Sequence, residues 1–290
     1  MKILISTDTS CLVSENTFSK YDISVFPLNV IIDGVEYLDG VSIKQDQLYS
    51  AMKEDKMIKT STPPMGVVIE YFEELFAKGY DKIIHFTISS KFSSMYSLFS
   101  TVSSSCFDDK IIVVDAYSVS TVMLAQVFLA YDLVSQGVEI DEILKRVEDI
   151  KLNSKLYCVP ENLTSLKKGG RISPAIAMIG NTLGLKPVIQ LTDGELVKDN
   201  MARNVRNAFY AIIDEFIASH NYNDYDFTLI EFGGKEVTVN HIESYLVEKV
   251  TENNVLKGLI PINVCAHCGP GTIGLVITKK INNKSLKDFI

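Results

Sequence analysis

The chain has 290 residues, 47% of them hydrophobic and 22% charged, the composition of a globular protein long enough for two cores. Its 36 acidic and 28 basic side chains leave a formal charge of −8, which argues against nucleic acid or an anionic membrane surface as the main partner. Five cysteines, an odd number in a chain large enough to need no staples, fit free thiols in a reducing compartment.

The start, Met1-Lys2-Ile3-Leu4-Ile5-Ser6, is too short in apolar residues for a secretory signal. Lys2 to Ser6 reads as a buried first strand that ends in the turn Thr7-Asp8-Thr9-Ser10. Ile23 to Ile32 reads as one strand, and Asp33-Gly34 as a hairpin turn into Val35-Glu36-Tyr37. Ser42 and Gln45 have capping-box spacing for a helix to about Lys53. A second helix is expected from Pro63 or Pro64 to near Gly79.

Lys82 to Ile88 and Lys110 to Val114 are the next strands, and helices follow each, to about Cys106 and from Val119 to Ser135. This alternation predicts a parallel sheet with helices on both faces. The most apolar helical stretch, Val122 to Tyr131, is about half the ~20 residues of a bilayer span, so no stable membrane insertion and a cytoplasmic location are expected.

After a helix from Ile140 to Asn153 the rhythm changes. Lys155 to Val159 reads as a strand, Pro160 to Lys168 as a short helix, and Leu185 to Leu191 with Glu195-Leu196-Val197 as a hairpin around Asp193-Gly194. Helices near 201–219 and 236–252 flank strands at 227–232 and 259–264, and Thr272 to Thr278 closes a mixed sheet. The fold class is therefore two-domain α/β: residues 1–155 as an N-terminal three-layer α/β/α domain with a parallel sheet, and 156–280 as a second α/β domain with a mixed sheet. Residues 281–290 are left as a tail with no role.

Ligands in parallel α/β sheets gather beyond the carboxyl ends of the strands. There the chain places Thr7 to Ser10, the hydroxyl-rich Ser89-Ser90-Lys91-Phe92-Ser93-Ser94, and Asp115. Ser93 or Ser94 also stands at a helix start, where free N–H groups and the helix dipole favour an anion. Lys59-Thr60-Ser61-Thr62-Pro63-Pro64 repeats that situation. Simple N-capping accounts for any one serine, but one cap needs one hydroxyl and these clusters hold several.

Lys167-Lys168-Gly169-Gly170-Arg171-Ile172 reads as a helix C-cap whose glycines also permit close approach of a ligand. Cys265-Ala266-His267-Cys268 has metal-ligand and redox spacing, but no second cysteine pair completes a zinc site and the motif lies far from any early βαβ unit. No metal is expected. Ser93, His267 and Asp115 hold the parts of a hydrolase triad, yet no G-x-S-x-G elbow carries the serine.

In order and spacing these pieces resemble the DegV family over about residues 1–280. The resemblance is carried by Ser6-Thr7-Asp8-Thr9, Val25-Phe26-Pro27-Leu28, Tyr37-Leu38-Asp39-Gly40 and Lys59-Thr60-Ser61-Thr62-Pro63. Further matches are Ile88 to Tyr96, Leu166 to Ser173, Leu185-Lys186-Pro187-Val188 and His267-Cys268-Gly269-Pro270-Gly271. It implies a carrier that holds one long-chain fatty acid, such as palmitate, stearate or oleate, in a tunnel between the domains and presents it to a fatty-acid kinase. No catalysis of its own and no cofactor are implied. By resemblance Thr60 and Ser93 hold the carboxylate, His267 and Arg171 complete the polar network, and Ser61 and Ser94 support it. Ser93-Ser94-Met95-Tyr96 departs from the family's Ser-Gly-Thr-Tyr, and Asp8-Thr9 and Asp115-Ala116 each replace an Asp-Ser. The lining expected for the tail is Phe92, Met95, Ile176, Ile179 and Leu183. A serine hydrolase using Ser93 and His267 is the alternative.

Overall fold

The computed structural model describes residues 1–11, 17–171, 176 and 184–290. Its first half is built on a parallel sheet in the order β2-β1-β6-β7, with β1 Ile3–Asp8, β2 Ile23–Phe26, β6 Lys82–Thr87 and β7 Ile111–Asp115. Successive residues of a strand point to opposite faces, and both faces here are covered. Leu4 and Ile83 pack with Val68, Phe72 and Phe99 of helices α2 (Met65–Phe76) and α3 (Met95–Cys106). Ile5, Ile84 and Phe86 pack with α4 (Ser120–Ser135) and α5 (Ile140–Asn153).

A small antiparallel sheet, β4-β3-β5, stands apart from this one, with β3 Asn29–Ile32, β4 Val35–Leu38 and β5 Ile58–Ser61. The single strand expected over Ile23 to Ile32 is therefore two strands in two sheets. Pro27 separates them: it has no N–H to give a ladder, and the chain changes partner there. Helix α1 (Gln45–Lys53) starts where expected, but Ser42 does not cap it. Gln47 accepts the backbone N–H of Lys44, while the Ser42 hydroxyl accepts that of Leu38.

The second half carries a six-stranded mixed sheet in the order β10-β9-β8-β13-β11-β12. Its strands are β8 Lys155–Val159, β9 Lys186–Thr192, β10 Glu195–Ala202, β11 Tyr225–Phe232, β12 Val255–Leu259 and β13 Thr272–Lys279. The β9–β10 hairpin turns at Asp193 and Gly194, both left-handed at φ 50° and 78°. This is the pattern of the primed turns that match strand twist, and Asp33-Gly34 repeats it at 49° and 84°. Helices α6 (Thr164–Gly169), α7 (Val205–Ser219) and α8 (Glu236–Lys249) belong to this half.

Two expectations are corrected here. Leu259 to Val264 is not a strand: β12 ends at Leu259, Pro261 breaks the chain, and a short helix α9 runs over Ile262–Cys268. An apolar run this short has no period that separates helix from strand, and proline favours the position just before a helix. Residues 281–290 are also no idle tail. Ile281 and Leu286 are fully buried, Phe289 stacks on Phe128 of α4, and Tyr21 donates its hydroxyl to the Phe289 carbonyl. Ser285 and the Leu286 N–H both donate to the buried Asp226 carboxylate.

Helix α4 is buried along almost its whole length, between the parallel sheet and β13. That explains a helix apolar on every side without any membrane span. No helix among the described residues is long and apolar enough to cross a bilayer.

Candidate functional site

The loop beyond β6 and the start of β3 face β5, α6 and α9, and a cavity of about 170 Å³ lies between them. At ~10–15 Å³ per water centre this is room for roughly a dozen waters, or a chain of similar length. Its walls are mainly apolar, with Leu28, Ile88, Met95, Leu156, Ile230 and Ile260 among them. All six polar residues singled out from the sequence reach this cavity: Thr60, Ser61, Ser93, Ser94, Arg171 and His267.

They fall into two tiers. Ser94 and Arg171 are exposed at the rim, while Thr60, Ser61, Ser93 and His267 are half-buried. Thr60 sits on β5 opposite Val30 of β3, and its Oγ1 is 2.9 Å from His267 Nε2 on α9. Burial first, and then the Arg171 charge, push the His267 pKa down to about 4, so its ring is neutral at pH 7. Ser61 Oγ donates to Glu36 at 3.2 Å. Arg171 Nε donates to the Phe92 carbonyl at 3.3 Å, and its guanidinium also donates to the Gly169 carbonyl.

Capping does not account for the serines. Ser94 precedes α3, but its hydroxyl makes no cap bond and lies 2.7 Å from Thr62 Oγ1. Ser93 Oγ accepts only a long contact, 3.4 Å, from the Met95 N–H. By contrast, the Lys167 to Gly170 segment is the helix C-cap expected of it. Gly170 is left-handed at φ 67° and closes α6 with bonds to Leu166 and Lys167.

Gly169 meets His267 face to face. A Cβ built on it falls 2.5 Å from His267 Nδ1 and 3.3 Å from Cγ. Gly169→Ala therefore forces the imidazole off Thr60. We expect a stability loss of about 1–3 kcal/mol and a loss of ligand affinity matching that of His267→Ala, both read by calorimetry. An affinity equal to wild type contradicts the placement of His267.

The hydrolase arrangement is not assembled. His267 faces Thr60, its Nδ1 has no hydrogen-bond partner among the described residues, and no carboxylate orients it. Asp115 instead accepts the backbone N–H groups of Ser90 and Tyr117, holding a turn. Cys265 and Cys268 are buried on α9, and burial pushes the Cys265 thiol well up. No three His, Cys, Asp or Glu side chains among the described residues come together as a metal site.

Behind the site, a buried polar network ties α9 to the first half. The Thr9 hydroxyl and the Asn263 N–H donate to Asp39, Asn263 Nδ2 donates to Ser10, and Asp8 accepts the N–H groups of Ser10 and Ile88. Burial outweighs these donors and raises Asp39 to about 7 and Asp8 to about 6, from 3.8. These two carboxyls hold more protons folded than unfolded between about pH 4 and 7, so the stability they contribute falls as pH rises through that window, while buried His85 and His267, pushed down to about 3 and about 4 from 6.5, contribute in the opposite sense. Relative to wild type, Asp39→Asn should therefore make the denaturant midpoint rise more, or fall less, as pH increases across that window; a pH profile unchanged by the substitution contradicts the assignment.

Sequence reasoning missed Asn263 and Ser120, which also line the cavity. Ser120 holds φ 56° with its hydroxyl buried and without a partner among the described residues, and no sequence signal marks it. Of the residues expected around the tail, Phe92 and Met95 do line the cavity. Ile176 is buried in the same core; Ile179 and Leu183 lie outside the described residues.

Known proteins share both sequence and fold with this chain. DegV domain-containing protein SA1258 of Staphylococcus aureus is 32% identical, the match covering 96% of this chain and 99% of that one. A DegV family protein from Thermus thermophilus, solved for its fatty-acid binding, superposes with a TM-score of 0.87 at 25% identity, covering 97% of this chain and all of that one. A stearic acid-binding protein from Eubacterium ventriosum superposes at 0.85 and 23% identity, over 97% and 99% of the two chains. The family model described as "Uncharacterised protein, DegV family" matches residues 2–280. With the parallel and mixed sheets arranged as in those structures, and the match running nearly end to end, this chain belongs to the DegV family.

Proposed function

We propose that the protein is a carrier that binds one long-chain fatty acid, such as palmitate, stearate or oleate, and presents it to a fatty-acid kinase without catalysis of its own. The observation that carries this reading is the convergence of Thr60, Ser93 and His267 at the polar end of one apolar cavity. The family neighbours named for fatty-acid binding support the ligand class. The kinase rests on the family resemblance alone.

The chemistry follows from the ring. For Thr60 to donate its hydroxyl proton to a carboxylate, its oxygen must accept from His267 Nε2–H. That selects the tautomer with a bare Nδ1, the atom left without a partner beside Gly169. Ser93 and Arg171 supply further donors, with Ser61 and Ser94 beside them. A hydroxyl pair suits a buried carboxylate because a fully buried cation adds its own desolvation cost. Burying ~15 methylenes at ~0.8 kcal/mol each gives about 12 kcal/mol before ordering costs. No cofactor is needed for this, and we place the carrier in the cytoplasm.

Equilibrium dialysis with radiolabelled stearate tests the reading: saturable binding at one site is expected. Added ATP and a fatty-acid kinase should then give acyl phosphate only when the carrier is present. Absence of saturable binding, or labelling of Ser93 by an acyl phosphonate with turnover of esters, overturns it in favour of a hydrolase.

A further inference from the structure

The cavity has a neighbour. A second, smaller cavity of about 100 Å³ lies beside it, and Leu156 and Leu191 line both. These two residues are direct register partners on β8 and β9, so their side chains stand together on one face of the mixed sheet. Both are buried, at 7% and 9% exposure. The opposite side of the divide comes from the turn before α4. Val119 and Ser120 face the main cavity, while Tyr117, Ser118 and Val122 face the second. Left-handed backbone at Tyr117 (φ 50°) and Ser120 (φ 56°) lets neighbouring residues serve the two chambers.

The chambers differ in chemistry. Beyond the leucines the walls hold Tyr117, Ser118, Lys151, Ser154, Thr192 and Asp193, and the last two are exposed. Lys151 lies 4.4 Å over the Tyr117 ring and pairs with Glu148. A methyl terminus that passed the leucines would leave an apolar wall for a polar, water-accessible one, which removes the gain from each further methylene.

Resting on the fatty-acid reading, we propose that the Leu156–Leu191 pair is the partition that sets the longest acyl chain this protein accepts. A chain anchored at Thr60, Ser93 and His267 ends on the leucines. Trimming either side chain opens the apolar volume that the side chain fills and admits acids longer by about that volume, up to the polar wall behind it.

The test is competitive loading with an equimolar mixture of saturated acids, odd and even, from myristate to behenate, followed by extraction and mass spectrometry. Leu156→Ala and Leu191→Ala should each move the preferred length up by about three carbons, since each removes three heavy atoms. The milder Leu191→Val, which loses one methylene and keeps the fold if the alanine variants do not, should move it by about one. Stearate bound normally with the same upper limit in the Leu156 and Leu191 variants overturns the partition. Wild-type protein that takes up no acid of any length instead overturns the fatty-acid reading itself.

Discussion

Thr60→Val should weaken the proposed fatty-acid binding about 10- to 100-fold, the cost of one hydrogen bond to a charged group at roughly 1.5–3 kcal/mol. Valine keeps the branched shape that suits β5, so the backbone pairing of Thr60 with Val30 survives. What is lost is the hydroxyl that pairs with His267 Nε2 and that the proposed function assigns to the carboxylate. Ser93→Ala should cost a similar factor, and because both hydroxyls serve one headgroup the double variant should lose less than the product of the two. Thr60→Ser restores the hydroxyl and should recover most of the affinity. Binding isotherms for the wild type and these four variants decide this. Wild-type affinity in Thr60→Val contradicts the headgroup assignment, since the fold gives that side chain no other partner among the bonds described.

Removing residues 281–290 destabilises the protein by about 3–6 kcal/mol. Ile281 and Leu286 are each fully buried, worth ~1.5–3 kcal/mol apiece. The Asp226 carboxylate also loses the Ser285 hydroxyl and the Leu286 N–H, and a buried carboxylate stripped of its donors is itself costly. The entropy regained by ten freed residues offsets part of the sum. Denaturant unfolding of the truncated protein should show a lower midpoint. A second variant, Leu286→Ala, should lose about 2–5 kcal/mol by the cavity it leaves. A truncated chain as stable as the full one contradicts the packing on α4.

The legible parts of the fold were those written in local chemistry. The Asp-Gly turns announced both hairpins, because few residues adopt left-handed backbone at two successive positions. The apolar runs of β1, β6 and β7 announced a sheet buried on both faces. Pairing between distant segments was not legible. Nothing near Pro27 says that Ile23–Phe26 joins β1 while Asn29–Ile32 joins β5. Leu259 to Val264 reads as a strand because six apolar-rich residues fit either period, and the helix over Ile262–Cys268 takes in its second half.

The site shows the same division. The hydroxyl clusters were visible as an excess over what capping uses, and the family's motifs named His267. Their meeting was not visible: Thr60 and His267 are 207 residues apart in sequence. Leu156 and Leu191 are likewise neighbours only through strand register. Ser120 takes its place from a strained turn, and its partnerless hydroxyl exists only in three dimensions.

The most direct test of the carrier reading is mass spectrometry of an organic extract of the purified protein, quantified against protein concentration. The predicted result is close to one equivalent of a saturated or monounsaturated long-chain fatty acid, reduced in Thr60→Val and Ser93→Ala. An extract without lipid, from protein that also takes up no added fatty acid, would contradict it.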